Sequence, residues 1–244
     1  MTRRLTTLFL ALNAFGFLLP VFGDGASKQP VEVVHTERVN FAPGGVIHVL
    51  HSFGSLNVEG WDRPEVEVTV VKSRERYYEP KRHEEAARGL ESVRIAVERH
   101  SDTDLTISTT APHKRFPYLW GGKGGVDVEY RIHVPRNSKL AIHHGMGSVL
   151  VSDVSGDIEA TSAGGDIVLL LPDSGTYSID ARSKLGTVYS DFAGDSRRRY
   201  LVGSGFALAT PSPARRIYLR TGIGGITIKS VPAEADAPAG ARNK

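Results

Sequence analysis

The chain has 244 residues, with 30 Lys and Arg against 27 Asp and Glu and a formal net charge of +3. A chain of this length buries a real core, which excludes disorder throughout, and the near balance of charge excludes the basic stripe of an electrostatic nucleic-acid binder. Cysteine is absent, which excludes disulfides, a lipidated N-terminal cysteine, thiol nucleophiles, iron–sulfur clusters and Cys-based zinc sites.

The first residues, MTRRLTTLFLALNAFGFLLPVFGDG, place Arg3 and Arg4 before an apolar run from Leu5 to Leu19, with Val21 and Gly23 at the −3 and −1 positions of a cleavage site. This pattern predicts an export signal over 1–23, cleaved after Gly23, with an uncleaved anchor as the alternative. The run is shorter than the roughly 20 residues of a membrane span, so no integral span is expected after signal removal. Losing the two arginines would lower the net charge from +3 to +1. A linker, 24–30, then leads into a main domain over 31–231.

The first strand phrase of that domain is Gly54-Ser55-Leu56-Asn57-Val58, continuing EGWDRPEVEVTVVKS. Trp61 reads as a structural aromatic rather than a ligand platform. After Ser73 the pattern changes. EPKRHEEAARGLESV predicts a short helix near Glu84 to Arg88, and SVRIAVERHSDTDLTIST, alternating on both sides of Ser101-Asp102-Thr103, predicts a hairpin. KRFPYLWGGKGG follows as a loop. In it Phe116, Tyr118 and Trp120 alternate beside Lys114 and Arg115, residue types that dominate contact energy, in the kind of segment where binding residues concentrate. These five are candidate partner-binding residues; the competing reading is a cap folded over the core. VDVEYRIHVP, from Val126, is a further alternating strand closed by Pro135.

From Gly147 one phrase recurs: Gly, a small polar residue, an apolar residue, any residue, and a mostly apolar one. It opens at Gly147, Gly156, Gly165, Gly175 and Gly186, in steps of 9, 9, 10 and 11 residues. Each step holds a short strand and a turn, and glycine begins the strand instead of sitting inside a two-residue hairpin. The spacing fits an antiparallel meander or a solenoid, and the glycine placement favours the second: the fold class expected is all-β, a solenoid-like stack of short strands, two strands per rung, with a small helix-plus-hairpin insertion. Val149, Val151, Ile158, Ile167, Leu169, Tyr177, Ile179 and Val188 are expected to face inward, with Ile226 and Ile228 closing the stack. Leu150, Val168 and Tyr189 are expected in register on one outer face, and Glu159 with Ser178 on the other. The apolar stripe calls for a cover, either the N-terminal helix or hairpin or a second chain. The Ala/Pro-rich tail, 232–244, is expected to be disordered.

GSLNVEGWDRPEVEV, the repeats from Gly147 to Ser190 and the closing IYLRTGIGGITIKSV together resemble the putative adhesin family, exported bacterial proteins of β-strand repeats. The resemblance spans Val31 to Val231 and implies an all-β solenoid-like fold without a known active site. Two features depart from the family pattern: HHGMGSV stands where an acidic or polar strand end is usual, and the aromatic loop interrupts the middle.

The candidate chemistry is sparse. Asp157 and Asp166 follow glycine directly, outside the Gly-Gly-x-Gly-x-Asp frame of calcium repeats. One rung on from them the expected stack places Thr176 and Thr187, so no carboxylate pair falls in register for glycoside hydrolysis. His143 and His144 point to opposite faces of a strand and, like His48 and His51, read as surface histidines rather than metal ligands. Gly203-Ser204-Gly205 has the wrong frame for a nucleophile elbow. No catalytic residue, metal or cofactor is expected. The reading is a non-enzymatic, exported interaction or adhesion-like module of the periplasm or cell surface, with an envelope protein or glycan as partner, and with self-association as the alternative in which a second chain covers the stripe. The alternatives are a carbohydrate-active β-helix enzyme and a purely structural envelope scaffold.

Overall fold

The computed structural model of the chain describes residues 29–78, 87, 90–91, 93–110, 126–198 and 202–232. The signal segment, all of the expected helix but Ala87, the aromatic loop with Lys114, Arg115, Phe116, Tyr118 and Trp120, and the tail after Pro232 lie outside the described residues.

The alternating runs form strands, and the described chain is all-β, in two mixed sheets whose strands are numbered in chain order. One sheet has the order β1 (Gln29–Asn40), β4 (Glu65–Tyr78), β7 (Asp127–Pro135), β3 (Ser55–Trp61), β9 (Val149–Ser152), β11 (Ile167–Pro172), β17 (Ile226–Val231), β13 (Val188–Ser190). The other runs β14 (Asp195–Arg198), β15 (Ser204–Leu208), β12 (Tyr177–Leu185), β16 (Arg215–Ile223), β10 (Ile158–Gly164), β8 (Lys139–Met146), β2 (Val46–Phe53), β6 (Asp104–Thr110), β5 (Arg94–Ser101). Neither sheet closes on itself: β1 and β13 are the edges of the first, β14 and β5 of the second.

A period of two sends every second side chain inward, and parallel neighbours align those residues in rows. Val70, Tyr130, Leu56, Val149, Ile167 and Ile226 form one such row in the eight-stranded sheet. Leu105, Ile47, Leu140, Ile158, Ile217 and Ile179 form another in the nine-stranded sheet. All twelve are buried in one core. The inward positions read from the repeats hold: Val149, Val151, Ile158, Ile167, Leu169, Tyr177 and Ile179 are buried, and Val188 is partly so.

Five consecutive pairs, β2 to β3, β8 to β9, β10 to β11, β12 to β13 and β16 to β17, pass from the nine-stranded to the eight-stranded sheet. Each passage turns on a glycine in the left-handed region: Gly54 (φ 107), Gly147 (φ 127), Gly165 (φ 108), Gly186 (φ 151) and Gly224 (φ 133). These glycines stack. A Cβ on Gly147 would overlap the carbonyl of Gly54, one on Gly165 that of Gly147, one on Gly224 that of Gly165, and one on Gly186 that of Gly224. The remaining phrase glycines, Gly156 and Gly175, belong to the opposite passage and are not left-handed. There a side chain would meet the Ser138 carbonyl or the Tyr177 ring.

Within the repeats the spatial order departs from the sequence order at the C-terminal strands. β16 lies between β10 and β12, and β17 between β11 and β13, so Ile226 and Ile228 are interior and do not close the stack. Parallel pairing on both sides satisfies both edges of the C-terminal strands, an arrangement that sequence spacing cannot reveal. The phase also shifts by two residues, because β11 and the turn after it take twelve residues from Ile167 to Ile179, where the step from Val149 to Ile158 takes nine. Ile179, not Tyr177, stands level with Ile158, and the Tyr177 hydroxyl instead donates to the Pro172 carbonyl at 2.6 Å.

These shifts break the expected outer stripe. Leu150 does pair with Val168, but Thr227 separates Val168 from Tyr189, and Asn57 flanks Leu150. On the other sheet Glu159 aligns with Tyr218 and Asp180, while Ser178 aligns with Arg216. The predicted hairpin is present as β5 and β6, but it extends the far edge of the nine-stranded sheet instead of covering the stripe, and Tyr189 is 59% exposed. Among the described residues no helix is long and apolar enough to cross a membrane.

Gly165→Ala should therefore destabilise the chain by about 2 kcal/mol or more in urea unfolding, through a strained φ and an overlap with backbone. Gly205→Ala, whose Cβ would find nothing nearer than 3.4 Å, should stay within about 0.5 kcal/mol of the parent.

Candidate functional site

A left-handed glycine turns its carbonyl out of the strand ladder, and a buried carbonyl needs a partner. The partner comes from a column of inward polar side chains at the ends of the nine-stranded sheet's strands. Ser162, Thr221 and Ser183 are buried and aligned across β10, β16 and β12. Thr221 Oγ1 donates to the Gly165 carbonyl at 3.1 Å, Ser183 Oγ to the Gly224 carbonyl at 2.7 Å, and Ser162 Oγ to the Gly164 carbonyl at 3.0 Å. Ser204, aligned with Ser183, extends the column: its hydroxyl donates to the Gly186 carbonyl at 3.2 Å and accepts the Val188 N–H at 2.6 Å. Its role is to hold backbone in place.

His144 occupies the same column on β8, aligned with Ser162, and hydrogen-bonds the backbone of Met146 and Gly54. Burial pushes its imidazole below the usual histidine range, against those two bonds. The departure at HHGMGSV is thus an imidazole in the place of a hydroxyl. His143 faces outward, as the alternation requires, with Nδ1 at 2.9 Å from Thr161 Oγ1. His48 Nε2 lies 3.8 Å from Asp104 Oδ1, and His51 aligns with His144. Among the described residues no group of three or more His, Asp or Glu is placed to hold a metal ion.

The repeat carboxylates are bound to backbone. Asp157 Oδ1 accepts the Arg216 N–H at 2.8 Å, Asp166 Oδ1 the Gly225 N–H at 2.7 Å, and Asp191 Oδ2 the Ser230 N–H at 3.0 Å. The backbone partners of Asp157 and Asp166 are therefore Arg216 of β16 and Gly225 of the passage from β16 to β17, not Thr176 and Thr187. Trp61 is structural: its indole N–H donates to the Glu65 carbonyl at 2.9 Å, its ring stacks on His133 at 5.0 Å, and the Arg63 guanidinium lies 4.8 Å from its centroid.

The outer face of the nine-stranded sheet carries a polar cluster that repeat reading does not single out. Asp180 on β12 holds two guanidiniums: Arg220 Nη2 at 2.5 Å from Oδ2, and Arg182 through Nε at 3.1 Å and Nη2 at 3.3 Å. Arg220 also donates to the Asp180 carbonyl at 2.7 Å and lies 3.8 Å from the centroid of Tyr218, which is 42% exposed. The result is an ordered cation and aromatic platform, suited to pairing with an anion or stacking on a flat ring. The sequence signal for it is the alternation Arg216, Tyr218, Arg220 along β16.

Fold and site together define a two-sheet β-repeat protein with glycine passages. Among solved structures, a putative cell adhesion protein from Clostridium sporogenes shares this fold, with a TM-score of 0.53 and 13% identity over 83% of this chain and 100% of that one. A putative adhesin from Bacteroides fragilis aligns over 82% of this chain and 97% of that one at 12% identity and a TM-score of 0.22. One from Parabacteroides distasonis aligns over 81% and 65% at 12% identity and a TM-score of 0.25. The resemblance to adhesins read from the repeats is borne out by the first of these as a likeness of fold. No family model matches the chain, and no curated protein does.

Thr221→Val keeps the shape but strands the Gly165 carbonyl, and should cost about 1–3 kcal/mol in chemical denaturation, whereas Thr227→Val on the outer face should be near neutral. For His144 the folded-state value lies below the ordinary 6.5, so the unfolded chain takes up the proton first as pH falls. Its contribution is complete above 6.5 and is lost as pH drops from there toward the folded-state value. His144→Ser should flatten the fall in melting temperature over that window relative to the parent.

Proposed function

We propose that this chain is a non-enzymatic, exported module of adhesion-like function in the cell envelope, built as a solenoid with two strands per rung. It presents the outer face of its nine-stranded sheet to an envelope glycan. The observation that carries this reading is the division of polar groups. Asp157, Asp166 and Asp191 are engaged with backbone N–H groups, while Tyr218, Asp180, Arg182 and Arg220 stand assembled on an open face. The N-terminal sequence supports export, and the regular passage of strand pairs between the sheets supports the solenoid. The fold shared with a protein named for cell adhesion is in keeping with both.

Binding to immobilised envelope polysaccharides tests the reading. Tyr218→Ala should weaken binding by about tenfold, the range of an aromatic anchor, without a change in melting temperature, and no reducing sugar should be released. Release of reducing ends from any of these polysaccharides, or unchanged binding by the variant, would overturn it. Mass spectrometry of the chain recovered from the envelope should find Asp24 as the first residue.

A further inference from the structure

The residue just before each left-handed glycine sits at the tip of the passage between the sheets. Along the column these residues are Phe53, Met146, Gly164, Ile223 and Leu185. Phe53 is buried and Met146 partly so. At the other end Ile223 is 60% and Leu185 49% exposed. The two are register partners on β16 and β12, about one strand spacing apart. Val202 joins them at 52% exposed, and it too precedes a left-handed glycine. That glycine, Gly203, packs against the carbonyls of Ser183 and Lys184.

Nothing in the passage demands a branched apolar side chain at the tip, because Gly164 fills the equivalent place in the next strand pair. Three large apolar residues gathered at one exposed corner therefore call for an apolar environment outside the chain. The charged groups beside them that are free of backbone bonds are cations. Lys184 adjoins Leu185 and is exposed; Arg182, two residues back, has 67% of its side chain exposed; and Arg197 lies in the same cross-strand row as Arg182, with only Gly205 between them. The carboxylates nearby are engaged: Asp166, against Gly224, accepts the Gly225 N–H; Asp180 is paired with Arg182 and Arg220; and Asp191 holds the Ser230 N–H and the Tyr189 hydroxyl.

Exposed apolar tips with cations beside them match the chemistry of an anionic bilayer surface: the tips enter the boundary of headgroup and acyl chain, and the cations meet lipid phosphates. We propose that this corner docks the chain peripherally onto an anionic phospholipid surface through Leu185, Ile223 and Val202, with Lys184, Arg182 and Arg197 at the headgroups. This goes beyond the glycan reading and uses other side chains than Tyr218.

The test is co-sedimentation of the exported chain, its N-terminus checked by mass, with vesicles of phosphatidylglycerol and phosphatidylcholine and with vesicles of phosphatidylcholine alone. The chain should sediment with the anionic vesicles, less so in about 0.5 M salt, where the Debye length is only a few ångströms, and weakly with the neutral ones. The Leu185→Ser, Ile223→Ser double variant should bind anionic vesicles about tenfold more weakly, and Lys184→Glu with Arg197→Glu should do the same without touching the apolar tips. Tyr218→Ala should bind them as the parent does, so that this proposal and the glycan reading fail separately. The charge variants also serve as a second arm, should the double serine variant melt early. Absence of anionic-vesicle binding, equal binding by the variants, or equal binding to both vesicle types would overturn the proposal. So would a parent dimer that the double serine variant dissolves, since the corner would then be a contact between two copies.

Discussion

The hydrogen bond from a buried hydroxyl to the carbonyl of a left-handed glycine is the interaction on which the fold depends. A passage between sheets at this spacing needs positive φ, which glycine adopts freely, and close stacking of one passage on the next leaves no room for a Cβ. The same geometry points a carbonyl into the core. Thr221, Ser183 and Ser204 supply the donors, each from a neighbouring strand, and Ser162 bonds the carbonyl just before Gly165. The glycine and the hydroxyl are thus two halves of one device, and the aliphatic rows can align only because each strand leaves the passage at the same height.

The second constraint is the placement of the C-terminal strands. β16 and β17 are covered on both edges by strands from earlier in the chain, and Asp157, Asp166 and Asp191 bind backbone N–H groups of that same segment. The segment arrives through a connection carrying Pro211 and Pro213. The middle of the assembly therefore completes only when the last part of the chain is in place. Its far end is finished on one sheet by the antiparallel β15 and β14 and left open on the other at the short edge β13, beside the corner formed by Leu185 and Ile223.

Much of this was legible in the residues. The Gly-x-apolar-x-apolar phrase locates β9 to β13 and their inward faces, because a period of two and a glycine start are local properties. Spatial order was not legible, since identical phrases can stack in any order and Ile226 carries no mark of lying between Ile167 and Val188. The polar column was legible but missed: Ser162, Ser183, Thr221 and His144 each stand three residues before a left-handed glycine. Reading glycine alone hides it. The cluster around Asp180 depends on β16 lying beside β12, so the alternation Arg216, Tyr218, Arg220 marks only half of it. The corner at Leu185, Ile223 and Val202 was hidden for the same reason.

Native-state hydrogen exchange, resolved by residue, addresses the central claim most directly. If the C-terminal strands lie at the centre, the amides of Gly224, Ile226 and Ile167, bonded to the carbonyls of Leu185, Thr187 and Gly225 at 2.9 Å each, exchange only through global unfolding. They would then be at least as slow as the amides of β12 and β13. Exchange of Arg215–Val231 through a partial opening that leaves β10 to β13 protected would place these strands at a free end and contradict the account.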